Sequence, residues 1–548
     1  MLTETAHTGA VPGRVAFPVV GIGASAGGLP ALVTLLENMP SSPGMALVVI
    51  LHLAPDQPSA VDRVLQRATD MAVAQAGQRE FIMPDHVYVI PPDRSLRMED
   101  GYLYVEPLDH PAHGRLVTID RFFRTLAEAQ KERAIGIVLS GMGTDGTAGL
   151  ARIKEQGGVT IVQLPSDAEE SSMPQAVITA GMADFVMSAA QIPQKLVELR
   201  DITQALHQIG RSPGPLAPEA PQAGREAEVL DGIFTVLHAR TGHDFHKYKR
   251  PTLMRRLERR LQVRGLTDLD SYYQLLKKDS SEAHALLKDL LIGVTSFFRD
   301  RKAFDALEQQ AVAQILRASP DGAEVRAWVA ACSTGEEAYS VAMLLNDKAQ
   351  TMGLQRKIQV FASDIDEQAI HTARAGLYPP GIADDVSPDR LRRYFTMEGE
   401  RYRVRKTLRD QVLFATHNLL RDPGFSRLDL ITCRNFLIYL NREMHQYVLE
   451  TFHFALNPGG FLFLGSAESA DAASHCFAPV DLRHRIYRAK ALPRAEFRVP
   501  LPPTVAPKPL APDGSQHQDF SARSRRPSSY ADIHLRKLIE LAAPSILL

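Results

Sequence analysis

Two stretches of the chain alternate short apolar runs with helical patterns, and segments with no apolar period divide them. In the front stretch "RVAFPVVGIG", "ALVVILHL", "AIGIVLSG" and "VTIVQL" read as strands. Between them "LPALVTLLENM" has helical spacing with a proline near its first turn, and "GMGTDGTAGLARIKEQGG" is a Gly-rich turn entering a helix. Such alternation predicts α/β folding around a mostly parallel, doubly wound sheet. From Val229 to about Ile315 the pattern is helical alone. It then becomes α/β again, with "VRAWVAAC", "IQVFASDID", "LDLITCRN" and "GGFLFLGS" as strands.

The aperiodic segments are Gly210 to Glu226 and the proline-dense Arg498 to Gln516, both read as linkers. The expected organisation is an α/β domain over 15–200, a linker over 201–227 and a helical subdomain over 228–315. A second, Rossmann-like α/β domain over 316–490 follows, then a Pro-rich linker over 491–529 and one amphipathic helix over 530–548. Composition changes this picture little. At 548 residues the chain needs more than one core, and 45% hydrophobic with 23% charged residues is ordinary for globular protein. A net charge of -1 gives no reason to expect nucleic acid as a partner. Three cysteines suit a reducing compartment, and neither a signal peptide nor a membrane-spanning run is visible, so the expectation is a cytoplasmic protein without membrane insertion. No metal site is read.

The segment "VVGIGASAGGLP" parses as G-x-G-x-x-A from Gly21, a dinucleotide fingerprint, or as G-x-S-x-G from Gly23, a nucleophile elbow with Ser25 at its tip. Ligands and catalytic groups collect at the carboxyl ends of parallel strands. Three such ends carry Ser25, His52 and Asp145, a nucleophile, a base and an acid that orients the base. A dinucleotide site would want an acid where His52 stands, although Asp56 close behind keeps that alternative open. Backbone N–H groups after Ser25, or in the Gly141–Met142–Gly143 turn, are candidate oxyanion donors. Singly, each residue reads more simply as a turn former, a cap or a structural histidine. Three on successive strand ends favour the elbow.

"GIGASAGG", "LVVILHLAP", "IVLSGMGTDG" and "SDAEESSMPQAVITAG" resemble the catalytic domain of bacterial chemotaxis protein-glutamate methylesterases, over roughly Pro18 to Leu199. The resemblance implies a triad of Ser25, His52 and Asp145, with Met142 beside the acid as part of the site, and a further ability to deamidate glutamine. Where the family commonly has Thr after the nucleophile, Ala26 stands here. The family's usual receiver domain does not fit ahead of a first strand that begins by about residue 15, which puts control by phosphorylation of the same chain in doubt.

In the second α/β stretch, "VAACSTGEEAYSVAML" is a strand, a Gly-containing turn and a helix whose start carries Glu336 and Glu337. Acids at a helix start would repel a pyrophosphate, so a cationic ligand such as S-adenosylmethionine fits better. "IQVFASDID" ends in Asp364 and Asp366, where a carboxylate suits ribose hydroxyls. Earlier, "KYKRPTLMRRLERRLQVRGL" places Arg255, Arg256, Arg259, Arg260 and Arg264 largely on one helical face, opposite Leu253, Leu257 and Leu261. Spacing alone leaves open whether that face is merely solvated or meets an acidic partner.

"TGHDFHKYKRPTLMRRLERRL", "IGVTSFFRD", "WVAACSTGEEAYSVAM", "ASDID", "ARAGLY", "ATHNLL", "ITCRNFLIYL" and "NPGGFLFLGSAES" resemble chemotaxis receptor glutamate O-methyltransferases, over about Val229 to Arg488. The resemblance implies S-adenosylmethionine contacts at Thr295, Arg299, Glu337, Asp364, Asn418, Leu419, Cys433 and Arg434, with Tyr439 beside the methyl group. Gly293 replaces an Asn of some relatives, and Asn435 completes the C-R-N turn. The basic helix, with Arg255, Arg256 and Arg259, becomes the implied docking surface for acidic receptor helices. A small β-subdomain at about Gly381 to Gln411 has a tight hairpin, "TMEGERYRVRK", as in members that work without a receptor tether. A glutamate carboxylate is ionised at neutral pH and is itself the nucleophile, so methyl transfer needs positioning and no general base.

The expected protein therefore joins an esterase and a methyltransferase of opposed sense, both acting on glutamates of a chemoreceptor or related sensor. A separate response regulator or histidine kinase is a further expected partner. Two alternatives are a sensory scaffold with one or both halves inactive and a dinucleotide-binding front domain. The apolar ending at Leu548 resembles longer hybrids in which a sensory module follows.

Overall fold

A computed structural model describes residues 15–51, 61–108, 117–209, 220–291, 293, 295–320, 323–399 and 401–491. His52, Asp56 and the whole tail beyond 491 lie outside the described residues.

The front domain is built on seven strands: β1 (Val19–Ala24), β2 (Ala46–Leu51), β3 (Ala72–Gln75), β4 (His86–Val89), β5 (Ala134–Val138), β6 (Val159–Gln163) and β7 (Phe185–Met187). They pair in the order β7-β6-β5-β1-β2-β4-β3, all parallel. A separate three-stranded antiparallel sheet (Arg79–Phe81, Arg94–Glu99, Tyr102–Pro107) was not read from sequence. The central strands are buried along their whole length, as a sheet covered on both faces requires. On one face Val20, Ile22 and Ala24 of β1 meet helix α1 (Gly28–Glu37) in a shared core. On the other, Val19 joins Phe122, Phe123 and Leu126 of α2 (Thr118–Gln130). Helix α3 (Thr147–Glu155) follows β5, and α4 (Ile192–Ile209) follows β7.

The helical subdomain comprises α5 (Ala220–Thr241), α6 (Arg250–Arg264), α7 (Leu269–Lys278) and α8 (Ser280–Leu290). Leu253, Leu257 and Leu261 of α6 enter its core with Leu230, Ile233, Leu237, Tyr272 and Leu286. Helix α5 begins inside the segment read as a linker, with Pro221 tolerated in its first turn and the Ala, Gln, Arg and Glu of "APQAGREAEVL" favouring a helix from there.

The second sheet uses β8 (Glu324–Ala330), β9 (Lys357–Asp364), β10 (Val412–Thr416), β11 (Leu428–Cys433), β12 (Leu456–Leu464), β13 (Phe477–Asp481) and β14 (Ile486–Ala489). Their order is β10-β9-β8-β11-β12-β14-β13; the first five are parallel, and β14 pairs antiparallel with both β12 and β13. Helix α9 (Glu336–Thr351) follows β8, and α10 (Glu367–Ala375) follows β9. Trp328, the one tryptophan, is fully buried on β8, and its indole N–H donates to Ser363 Oγ of β9 at 2.9 Å. The hairpin Phe395–Glu398 with Arg401–Val404 pairs Glu398 directly with Arg401, a two-residue turn with Gly399 at φ 61°.

Both sheets reverse their winding once, between β1 and β5 in the first and between β8 and β11 in the second. Crevices at the carboxyl ends of such switch points are where open α/β sheets bind ligands.

Candidate active sites

Ser25 leaves the end of β1 and stands two residues before Gly27, whose φ of 67° turns the chain into α1. A Cβ on Gly27 would lie 2.6 Å from Glu169 Cβ and 2.8 Å from Ser140 Oγ, so the turn needs glycine on both counts. The left-handed residue is thus Gly27 and not the serine, since Ser25 is not among the positive-φ positions. The Ser25 N–H donates to the Ser140 carbonyl after β5 at 3.0 Å, and Ser140 Oγ donates to the Ala26 carbonyl at 2.9 Å. The elbow and the turn after β5 are therefore one unit.

The glycines of the opening motif are explained by packing. A Cβ on Gly21 would sit 2.9 Å from Phe123 and Leu126, and one on Gly23 only 2.4 Å from Ile119. Both lie inside β1 against α2 and not in a phosphate-facing turn. This favours the elbow over the dinucleotide reading. A Cβ on Gly141 would approach Met173 Sδ at 2.3 Å and Ser25 Cβ at 2.9 Å, so the serine touches this turn through a bare glycine. Gly141 N–H donates to the Glu170 carbonyl and Gly143 N–H to Ser172 Oγ, which removes both from oxyanion duty. Among the described residues, the Met142 N–H is the donor of that turn without an acceptor. The Met142 side chain is exposed.

Asp145 is buried, and its carboxylate accepts from the backbone N–H groups of Ile119 at 3.0 Å, Asp120 at 2.9 Å and Gly146 at 2.9 Å. Helix α2 has no side-chain cap from Val117; Asp145 satisfies its first N–H groups from 25 residues along the chain. Asp120, which sequence reading missed, is buried beside it and accepts from Gly149 N–H at 2.6 Å. Burial, and then the neighbouring Asp145 carboxylate, push Asp120 up to about 8. Nothing local marks Asp120, because an acid in a first helical turn reads as a dipole residue.

At the second switch point the backbone itself is bent. Ala331 and Ser333 after β8, Asn435 after β11, and Phe298 and Asp300 in the preceding loop all have φ between 48° and 64°. Left-handed non-glycine residues cluster where function over-determines the backbone. Asp364, the acid at the end of β9, accepts from the N–H groups of Ser333 at 2.8 Å and Asp366 at 2.9 Å, and burial raises its pKa. Glu337 is buried, accepts from Thr432 Oγ1 at 2.7 Å and meets Arg434 at 3.4 Å. Glu336 accepts from Thr334 Oγ1 at 2.7 Å and is raised to about 7 by burial. The start of α9 therefore carries less negative charge than two ionised glutamates would. Cys433 is buried, its thiol pushed well above the usual range by burial. Asn418 accepts the Leu420 N–H at 3.0 Å, and Leu419 is buried behind it. Thr295 is half-buried in the loop that follows α8.

Arg434, one of the expected cofactor contacts, is buried with its guanidinium on Asp300 at 2.5 Å and Glu337, above the rings of Phe463 and Phe304. Its Nε is a buried donor with no partner among the described residues. Glu468, also missed, is buried and gathers the N–H groups of Asn435, Gly465 and Ile438, which holds the C-R-N turn open. An orphaned arginine N–H suits a ligand's carboxylate and the carboxylate at the strand end suits ribose hydroxyls, so the residues present fit S-adenosylmethionine, which carries both. Tyr439 is partly buried; burial raises its phenol, the Glu155 charge raises it further, and Arg256, Arg299 and Arg152 oppose.

The basic helix α6 differs from an open docking surface. Arg255 is exposed, but Arg256, Arg259 and Arg260 are buried. Arg256 donates to the Lys154 carbonyl at 2.8 Å and Arg259 to the Gly158 carbonyl at 3.0 Å, both in the front domain. Arg259 also pairs with Asp184 of that domain and with Asp289 of α8. Buried guanidinium groups need such partners.

The chain matches the model of the CheB methylesterase over residues 20–196, the CheR methyltransferase all-alpha domain over 228–291 and the CheR methyltransferase SAM binding domain over 293–486. It is 38% identical over 248 residues to a chemotaxis protein methyltransferase of Escherichia coli, covering 43% of this chain and 82% of that protein. An uncharacterised 104.1 kDa protein of Rhodobacter capsulatus is 35% identical over 463 residues, 82% of this chain; the chain spans 48% of that relative's length. The crystal structure of the Thermotoga maritima CheB methylesterase catalytic domain is 31% identical, with a TM-score of 0.32 over 34% of this chain and 100% of that one. The chain belongs to the CheR methyltransferase family and carries a CheB methylesterase domain ahead of it. It thus holds two enzyme domains of opposed sense, one of them S-adenosylmethionine-binding. Among the described residues, no helix is long and apolar enough to cross a membrane.

Proposed function

We propose that the chain installs methyl esters on glutamate side chains of chemoreceptor cytoplasmic helices and also removes them, working in the cytoplasm. The observation that carries the esterase half is the single unit formed by Ser25, Gly141 and the turn leading to Asp145 at the first switch point. Ser25 Oγ attacks the ester carbonyl while His52 takes its proton, and methanol leaves with that proton. Water then attacks the acyl-serine, and the glutamate and Ser25 are both restored. Asp145 holds the imidazole, and the Met142 N–H supports the oxyanion. The same steps with an amide release ammonia, which is deamidation of glutamine.

In the other half, S-adenosylmethionine supplies the methyl group when bound. Asp364 accepts from its ribose, and Thr295, Arg299, Glu337, Asn418, Leu419, Cys433 and Arg434 line its place. Tyr439 orients the acceptor carboxylate, which needs no base because it is ionised already. The burial of Arg434 on Asp300 and Glu337 supports a role in shaping this site over one in meeting the acceptor. A separate response regulator or histidine kinase completes the circuit. Incubating the protein with labelled S-adenosylmethionine and receptor fragments tests both halves: label must enter glutamate and leave as methanol. Label that never reaches the fragment would end the proposal.

A further inference from the structure

The expected docking helix of the methyltransferase is already covered, and what covers it is the chain's own esterase domain. Four contacts define the seam. Arg256 and Arg259 of α6 donate to the carbonyls of Lys154 and Gly158, at the end of esterase helix α3 and just beyond it. Arg259 pairs with Asp184, which Lys154 also holds at 2.9 Å. Gln262 of α6 donates to Thr203 of α4 at 3.4 Å. Glu155 is the last residue of α3, next to the carbonyl that Arg256 grips; its side chain is 9% exposed and pairs with Arg152 one turn earlier. A carboxylate on the end of a helix, next to the carbonyl that Arg256 grips, is the chemistry of the acceptor assigned above. Lys249, at the start of α6, donates its N–H to the Tyr439 carbonyl at 2.8 Å, so the esterase helix that α6 grips lies on the methyltransferase's acceptor side.

We propose that the esterase domain occupies the acceptor surface of the methyltransferase domain, with Glu155 standing where a receptor glutamate would enter. Methyl transfer to another protein then requires the two domains to part. The proposal rests on the acceptor reading of Tyr439 and α6 given above. It supplies what the opposed activities need: in the closed arrangement the methyltransferase cannot undo the work of the esterase. The segment 210–219, with three prolines and two glycines, joins the domains.

The test locks the seam and releases it in the full chain. Cys332, Cys433 and Cys476 are all buried, so cysteines introduced as Thr203→Cys and Gln262→Cys are open to selective joining by a short reducible bis-maleimide. The linker should join them within one chain. The locked protein should retain S-adenosylmethionine binding by calorimetry and lose methyl transfer to a chemoreceptor cytoplasmic fragment, and reduction should restore the transfer. Separately, Glu155→Arg, which sets a third cation against Arg256 and Arg259, should raise kcat/KM for the fragment roughly tenfold if the closed arrangement is favoured ten to one. Absence of the intrachain product, or a locked chain that methylates as fast as the released one, would overturn the proposal. A released chain that binds S-adenosylmethionine but methylates no fragment would instead overturn the acceptor reading, while the cross-link would still report the domain contact.

Discussion

The two sites occupy equivalent places in two parallel sheets and are fixed by opposite means. At the esterase switch point the required conformations fall on glycines: Gly27 takes the left-handed turn and Gly141 lets the turn after β5 touch Ser25. At the methyltransferase switch point Gly335 opens α9 in the same left-handed way, but Ala331, Ser333 and Asn435 are left-handed too, each costing about 1–3 kcal/mol in a conformation that L residues avoid. Side chains there, buried Glu468 and half-buried Asp364, hold the bent backbone by accepting its N–H groups. The difference follows from the chemistry. A serine nucleophile must meet a carbonyl within tenths of an ångström, so its surroundings are bare backbone that can approach closely. Transfer to a carboxylate already ionised needs a shaped cradle, which side chains can build.

The sharpest way to break this comparison is at Ser25. Ser25→Ala and His52→Gln should each lower methanol release from methylated receptor by about 10⁴-fold or more, and the double variant should be little worse, because the members act as a unit. Methyl incorporation should continue in both. Equal methanol release from wild type and Ser25→Ala would return the segment to the dinucleotide alternative, which then predicts loss of NAD(H) binding on bulky replacement of Gly23. Gly141→Ala comes next. Its new Cβ must push aside either Met173 or Ser25, and a misplaced nucleophile costs on the order of 10²-fold. The comparison loses its basis if this variant hydrolyses esters at the wild-type rate.

On the methyltransferase side, Asp364→Ala should weaken S-adenosylmethionine binding by roughly 1.5–3 kcal/mol, the worth of a charge-assisted hydrogen bond. The same variant also frees the Ser333 and Asp366 N–H groups, which use different carboxylate oxygens, so Asp364→Asn, which still offers one of them an oxygen, should lose less. Calorimetric affinity unchanged in a folded Asp364→Ala protein would remove the ribose assignment.

What was legible in the sequence divides along the same line. Ser25 and Asp145 announce themselves because residue type and position at a strand end suffice, and the Gly-rich turns mark where the chain must bend. Leu253, Leu257 and Leu261 fall on one face by spacing alone, and that face is indeed in the core. The opposite face of α6 shows where periodicity stops: it groups Arg256 and Arg259 correctly but says nothing of what lies against them, and their partners are 101 and 102 residues away. Asp120 and Glu468 were invisible for the same reason, since their roles depend on N–H groups gathered from distant loops. The start of α5 at Ala220 was missed because Pro and Gly upstream mask a run of good helix formers.

The smallest expected effect separates the sites by pH. Each keeps one buried carboxyl near neutrality: Asp120, normally near 3.8, is raised to about 8, and Glu336, normally near 4.5, to about 7. In both cases the folded state holds a proton that the unfolded chain has released, so the contribution to stability is complete below the ordinary pKa and is lost as pH rises to the folded one. For Glu336 the loss ends near pH 7, whereas for Asp120 it continues to about pH 8, at no more than about 1.4 kcal/mol per pH unit. Between pH 7 and 8, therefore, Asp120 should still be lowering the stability of the esterase domain while Glu336 no longer lowers that of the methyltransferase domain. Calorimetric unfolding of the full chain at those two pH values should show the esterase transition falling and the methyltransferase transition holding. Asp120→Asn keeps an acceptor for the Gly149 N–H and removes the titration, so it should flatten the esterase response, while Glu336→Gln should leave it as it was. If the esterase transition falls as steeply in Asp120→Asn as in wild type, the proton is not on Asp120, and the account of how Asp145 and α2 are held together must change.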